Sequence, residues 1–284
     1  MMKQIAVALT LLTLVPACGG SGTPSVQPLS ASGFATANSE IARGASFTVP
    51  RAIRILGDGE NLTLTEQDIR FDILDGTTDV AVTIEGETYR LPLVSNGAFE
   101  LVDGDNIVVV ARRGEPRPEA EILEVFAVVD DRLNASNIVI GFDTDPAEVA
   151  ARGGAASMTG TVIITARNGF NDGFGDGEFR LTADFNRDSV SGSFDLGNLA
   201  LPASDFTVPD TSFRLRSAPI TGNGFEGTFV QTAGDLGGDL RTATYVGRFF
   251  GKDAPSAGGQ ISAIVDVPGA ALPTVIEGAF LVTD

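Results

Sequence analysis

The sequence predicts an all-β protein, with a β-rich N-terminal domain followed by an eight-stranded antiparallel β-barrel. Three observations predict it. Short apolar runs are divided along the whole chain by Gly, Asp and Asn turn signals such as Asp75-Gly76, Asn96-Gly97 and Asp103-Gly104. In the second half several runs alternate with period two, as in Phe179-Arg180-Leu181-Thr182-Ala183-Asp184-Phe185. Only one stretch carries the signals of a helix.

In chain order, residues 1–17 read as a signal peptide, with Lys3 before an apolar run over 5–15. The run is too short to span a bilayer, which takes ~20 apolar residues. Val15-Pro16-Ala17-Cys18 matches the lipobox of bacterial lipoproteins, so cleavage is expected before Cys18, with lipid on its thiol and new N-terminus. Cys18 is the single cysteine, and no disulfide is expected. Gly19 follows it rather than the Asp of inner-membrane retention, which points to the outer membrane. Residues 18–33, rich in Gly, Ser and Pro, read as a flexible tether.

The β-rich domain is expected over 34–143, with strands at 52–56, 69–74, 80–84, 88–93, 98–101, 107–111, 124–129 and 137–142. Residues 144–156 read as a helical connector: Asp145 is an N-cap, Pro146 fits the first helical position, Glu148 completes a capping box and Gly153 closes the end. The barrel is expected over 157–284, with strands at 158–166, 178–185, 190–196, 212–217, 224–231, 242–251, 260–267 and 275–282. Four of these interleave Gly with aromatic residues, including Phe225-x-Gly227-x-Phe229 and Tyr245-x-Gly247-x-Phe249. Glycines facing large rings let a small closed sheet bend and fill its own axis. A transmembrane barrel would need aromatic girdles, and the chain has no Trp and two Tyr.

Composition excludes whole classes of chemistry. The net charge is -18, which repels nucleic acid and anionic headgroups, so no nucleic-acid partner is expected. There is no His, which removes Ser-His-Asp and Cys-His catalysis and His-ligated metals. A Ser-Lys dyad would depend on Lys252, and a sugar site would want the Trp and Tyr that are nearly missing. The chain is not expected to be an enzyme.

The barrel region resembles the C-terminal β-barrel of the transferrin-binding protein B family, whose relatives include factor H binding protein and haem-acquisition surface lipoproteins. The residues that carry the resemblance are Leu181-Thr-Ala-Asp-Phe-Asn186 leading to Ser189-Val-Ser-Gly-Ser-Phe194, then Gly224-Phe-Glu-Gly-Thr-Phe229, and above all Gly247-Arg-Phe-Phe-Gly-Lys-Asp-Ala254 followed by Ala257-Gly-Gly259. Gly141-Phe-Asp-Thr-Asp-Pro146 and Met158-Thr-Gly-Thr161 resemble the short transferrin-binding-like solute-binding proteins. It covers about residues 140–284. It implies a handle-like domain before the barrel and display on the outer membrane, and names no ligand. The function expected from it is non-catalytic binding of a protein partner or an iron-containing solute, such as haem, in nutrient acquisition. A structural envelope lipoprotein facing the periplasm is the alternative.

Candidate site residues follow. Asn171-Asp-Gly-Phe-Gly-Asp-Gly-Glu178 has the acid and glycine density of a Ca²⁺ loop, with Asp172, Asp176 and Glu178 as ligands, and also fits a hairpin turn. Asp184-x-Asn186-x-Asp188 starts an EF-hand spacing, but Ser189 stands at its sixth position. Without His, haem could be held axially only by Tyr89, Tyr245 or Met158. Arg112, Arg113 and Arg117 form the one basic cluster, a candidate recognition loop, and 198–209 and 234–239 are further loop candidates.

Overall fold

The protein is described here from a computed structural model covering residues 26–27, 46–57, 62–74, 79–94, 98–113, 119–130, 132–168, 171–197, 199–200, 207–208 and 210–284. The signal peptide, Cys18, most of the tether and loop residues 114–118 and 201–206 lie outside the described residues.

Within them the chain is strand after strand. The first domain holds β1 (Val26–Gln27), β2 (Ser46–Gly57), β3 (Leu62–Ile73), β4 (Val80–Ile84), β5 (Glu87–Leu91), β6 (Phe99–Asp103), β7 (Asn106–Arg113), β8 (Ala120–Val129) and β9 (Arg132–Gly141). After helix α1 (Pro146–Ala151) come β10 (Ala155–Asn168), β11 (Asn171–Asp184), β12 (Ser189–Gly197), β13 (Leu199–Ala200), β14 (Thr207–Val208), β15 (Thr211–Thr221), β16 (Gly224–Ala233), β17 (Asp239–Phe250), β18 (Ser256–Asp266) and β19 (Thr274–Thr283). The all-β prediction stands, and each run named above overlaps a strand of its own, several of them running one or two residues past its end.

The first domain is one curled antiparallel sheet in the order β1-β7-β8-β9-β2-β3-β4-β5, with β6 also on β7. Its two ends nearly meet through the Leu93–Phe99 bridge. Inside it lie Phe47, Ile69, Phe71, Val82, Leu91, Val110, Leu123 and Ile138. Val26 and Gln27, within the stretch read as a tether, pair with Arg113 and Arg112.

The second domain is a closed barrel, β10-β11-β12-β15-β16-β17-β18-β19. Rings fill its axis: Phe179 stacks on Phe280 at 4.1 Å, Phe194 on Phe213 at 4.5 Å, and Phe225 leans on Phe249 at 5.4 Å. Gly247 makes the space, because a Cβ there would lie 2.5 Å from the Phe225 ring.

Two local expectations need correction. The 171–178 segment is neither loop nor turn: it is the first half of β11, paired residue for residue with 161–168 of β10. Helix α1 is N-capped by Asp145, whose Oδ1 accepts from the Ala147 amide at 2.7 Å. Glu148 does not close a capping box; its carboxylate receives the Asp253 amide instead. The helix ends at Arg152, not Gly153, where the backbone turns extended. Arg152 then ties the connector to the barrel, stacking over Phe185 at 4.6 Å and pairing with Asp284 at 2.8 Å.

Candidate functional site: the cleft between sheet and barrel

The two domains meet along an apolar layer of Ala120, Ile122, Val139, Ile163, Phe250, Ala279 and Leu281. Beside it β2 and β9 come apart. They pair only from Ile55 to Gly57, because β2 is bulged between Val49 and Ala52 and Arg51 sits at φ 52°, a left-handed backbone. The backbone groups exposed by this parting are taken up by barrel side chains. Gln260 accepts from the Ile53 amide at 2.9 Å and donates to the Asn137 carbonyl at 2.7 Å. Glu277 accepts from the Asn137 amide, and from its side-chain Nδ2, at 2.8 Å each. Both barrel residues are buried, and buried polar groups require such partners. Burial pushes the Glu277 carboxyl up to about 8, against the lowering effect of the Asn137 and Gln260 hydrogen bonds.

Where the strands part, a cleft of about 510 Å³ opens between the domains. That is within the ~300–1,000 Å³ range of small-molecule sites. Val49, Val139, Val246 and Phe250 give it apolar walls, and Gly247, Gly258 and Gly259 floor it. Gly258 stands opposite Val139, whose Cγ1 would be 3.0 Å from a Cβ at that position. A larger residue would press into the wall.

Two arginines frame the mouth. Arg51 pairs with Glu66 at 2.8 Å on its own domain and reaches across to Glu226 of the barrel at 2.9 Å. Arg248 of the barrel pairs with Asp143, between β9 and α1, at 2.9 Å. Desolvation raises the Asp143 carboxyl above its ordinary range, and the neighbouring Arg248 pulls it back. The lining thus offers apolar surface with polar edges already paired. Among the described residues no Ser, Cys, Lys or His lines the cleft, and its carboxylates Asp143 and Glu226 are both held by guanidinium groups.

The residues singled out from sequence lie elsewhere. Arg113 is buried, paired with Glu124 and set over the Phe174 ring of β11. The Arg112 side chain and Arg117 lie outside the described residues. Asp176 and Glu178 point outward from β11, ~7 Å apart along the strand. Glu178 pairs with Arg180 at 2.7 Å, burial raises Asp176, and the Asp172 side chain lies outside the described residues. Among the described residues no three carboxylates gather around one point. Tyr245 and Met158 are buried in the barrel core, with the Tyr245 hydroxyl donating to the Arg216 carbonyl at 2.7 Å. The Tyr89 hydroxyl donates to Glu87. In the 234–239 loop, Leu236 folds into the barrel core. Sequence reasoning missed Arg51, Gln260 and Glu277, and it quoted Asp143 and Glu226 only within motifs, not as site residues. Arg248, Gly258 and Gly259 lay inside the motifs quoted above, though not as site residues.

No protein-family model and no curated protein matches the chain. Solved structures do. Isotype 1 transferrin binding protein B from serogroup B Neisseria meningitidis is 19% identical, with a TM-score of 0.49 over 83% of this chain and 44% of that one. The Trp-176-Ala mutant of transferrin binding protein B from Haemophilus parasuis Hp5 is 15% identical, with a TM-score of 0.47 over 84% of this chain and 46% of that one. The chain therefore spans less than half the length of the transferrin binding protein structures it is similar to.

Proposed function

We propose that the chain is a non-catalytic binding protein, anchored at the outer membrane through lipid on Cys18 and exposed at the cell surface. It holds a small solute, an iron-containing one in the reading taken from sequence, in the cleft between its two domains. The observation that carries the proposal is the cleft itself, apolar in its walls, glycine-floored and bridged at the mouth by Arg51–Glu226 and Arg248–Asp143. Interfaces between domains are preferred places for such sites. Transferrin is not part of the proposal, since the chain covers less than half of each structure named for it.

Thermal unfolding with hemin and with ferric citrate, on the full chain and on Thr221→Trp, tests it. Thr221 is exposed at the cleft's edge, so the indole fills the cleft without entering either core. The expected result is a rise in Tm with one of the two probes that the variant loses. No rise with either, or an equal rise in the variant, counts against an iron-containing solute in this cleft.

A further inference from the structure

The barrel is closed in its strand order, yet one of its seams is paired over only half its length. β16 and β17 pair from Gly224–Arg248 to Thr228–Thr244 and no further. Beyond that point residues 229–233 keep their ladder with β15 alone, and 239–243 theirs with β18 alone. The cause lies in the outer ladders. β16 is bulged at Thr232, where Ser212 pairs with Ala233 and Phe213 with Gln231. β17 is bulged at Arg241, where Leu240 pairs with Val265 and Thr242 with Ile264. A bulge bends and twists its strand, and two of them on facing strands swing the edges apart. The gap holds a cavity of about 580 Å³, with Phe229, Leu240 and Ala243 among its lining. Leu236 of the connecting turn is buried in the barrel core.

Closure normally removes the unpaired strand edges of a sheet; this seam restores two, face to face. The charge beside them is distinctive. Eleven of the fourteen arginines among the described residues have an acidic or other partner, as Arg241 has Asp266 at 2.6 Å. Arg214 and Arg216, both exposed on the outer face of β15 next to the seam, pair with no carboxylate among the described residues. In a chain of net charge -18, two neighbouring arginines with no carboxylate partner among the described residues flank this seam.

We infer that this seam binds an extended acidic peptide segment of a partner protein, which adds as a strand between β16 and β17. Main-chain bonds to both edges would give affinity, as in other strand-addition complexes. Small apolar side chains would rest on Phe229, Leu240 and Ala243, and the alternate carboxylates would face Arg214 and Arg216. The inference is independent of the cleft, which lies at the other end of the β16–β17 pair.

The test is amide hydrogen exchange on the full chain with the heptapeptide Thr-Glu-Val-Glu-Val-Glu-Thr, the same peptide N-methylated at alternate amides, and Thr-Lys-Val-Lys-Val-Lys-Thr. In the free chain the amides of 229–233 and 239–243 that point into the seam should exchange fast. The glutamate peptide should slow them at least tenfold, and the N-methylated one should not. Arg214→Glu/Arg216→Glu should weaken the glutamate peptide at least tenfold and strengthen the lysine peptide, with exchange elsewhere unchanged. Slow exchange at the seam in the free chain, no protection by the glutamate peptide, or equal protection by the N-methylated one overturns the inference. Protection that grows with protein concentration alone would assign the seam to a second copy and also overturn it.

Discussion

Glu277 of β19 and Asn137 of β9, 140 positions apart in sequence, share two hydrogen bonds of 2.8 Å across the junction of the two domains. Together with Gln260 they replace strand pairing where β2 and β9 separate, so a barrel strand completes a sheet to which it does not belong. The junction is thus specified by polar geometry as well as by its apolar layer. Glu277→Ala should destabilise the protein by about 3 kcal/mol, since it leaves the buried Asn137 amide without a partner, leaves its side chain only Thr165, and opens a void. Chemical denaturation measures this, and a loss under 1 kcal/mol would show the pair to be dispensable.

The same carboxyl sets a pH dependence. Its folded pKa, about 8, lies above the ordinary 4.5. Between those values the unfolded chain has released the proton and the folded chain keeps it. Stability therefore falls as pH rises across that window, by up to ~1.4 kcal/mol per pH unit, and levels off above it. Below the window both states hold the proton and the contribution is fully present. Glu277→Gln, which mimics the neutral acid, should remove this slope. Identical pH profiles for the two proteins would contradict it.

Gly247 faces Phe225 and Phe280 inside the barrel. Gly247→Ala should cost ~2–3 kcal/mol through overpacking and lower Tm in a thermal scan. An unchanged Tm would mean the aromatic axis is looser than its stacking distances imply.

Arg51 tests backbone strain against surface charge. It is exposed, and its left-handed φ is unfavourable for a residue with a Cβ. Exposed ion pairs contribute little, whereas glycine relieves the backbone. Arg51→Gly should be at least as stable as Arg51→Ala in denaturant titration; the reverse order would show that the side chain and not the backbone governs this bulge.

The chain has two tyrosines and no tryptophan, so ultraviolet titration reads them directly. Burial raises both to about 12, with the Glu87 hydrogen bond adding to the effect at Tyr89. Phenolate absorbance should appear near pH 12 rather than near 10. Tyr245→Phe should remove about half the signal and destabilise by ~1 kcal/mol, the worth of its bond to the Arg216 carbonyl. A midpoint near 10 would place the rings in water.

Much of the fold was legible because strands write themselves locally. Alternation in 179–185 and the Gly-aromatic pairs around Gly247 announce a filled barrel without any knowledge of partners. Strand ends were less legible: Pro50 and Arg51 break the apolar run, so the sequence places the start of β2 at 52, and the acids and glycines of 171–178 read as a loop although they pair along β10. The cleft was hardly legible. Arg51 meets Glu226 across 175 positions and Ile53 meets Gln260 across 207, and nothing local links the members of either pair. Asp143, Glu226, Arg248, Gly258 and Gly259 stood inside quoted motifs, yet no motif marked them as neighbours around one cleft.

The most direct measurement of the central claim is native mass spectrometry of the full chain isolated from its own membranes, beside Thr221→Trp prepared in the same way. The account predicts a lipidated protein carrying a small molecule that the variant lacks. A protein that carries none, or a variant that retains it, would contradict a ligand held in the cleft between sheet and barrel.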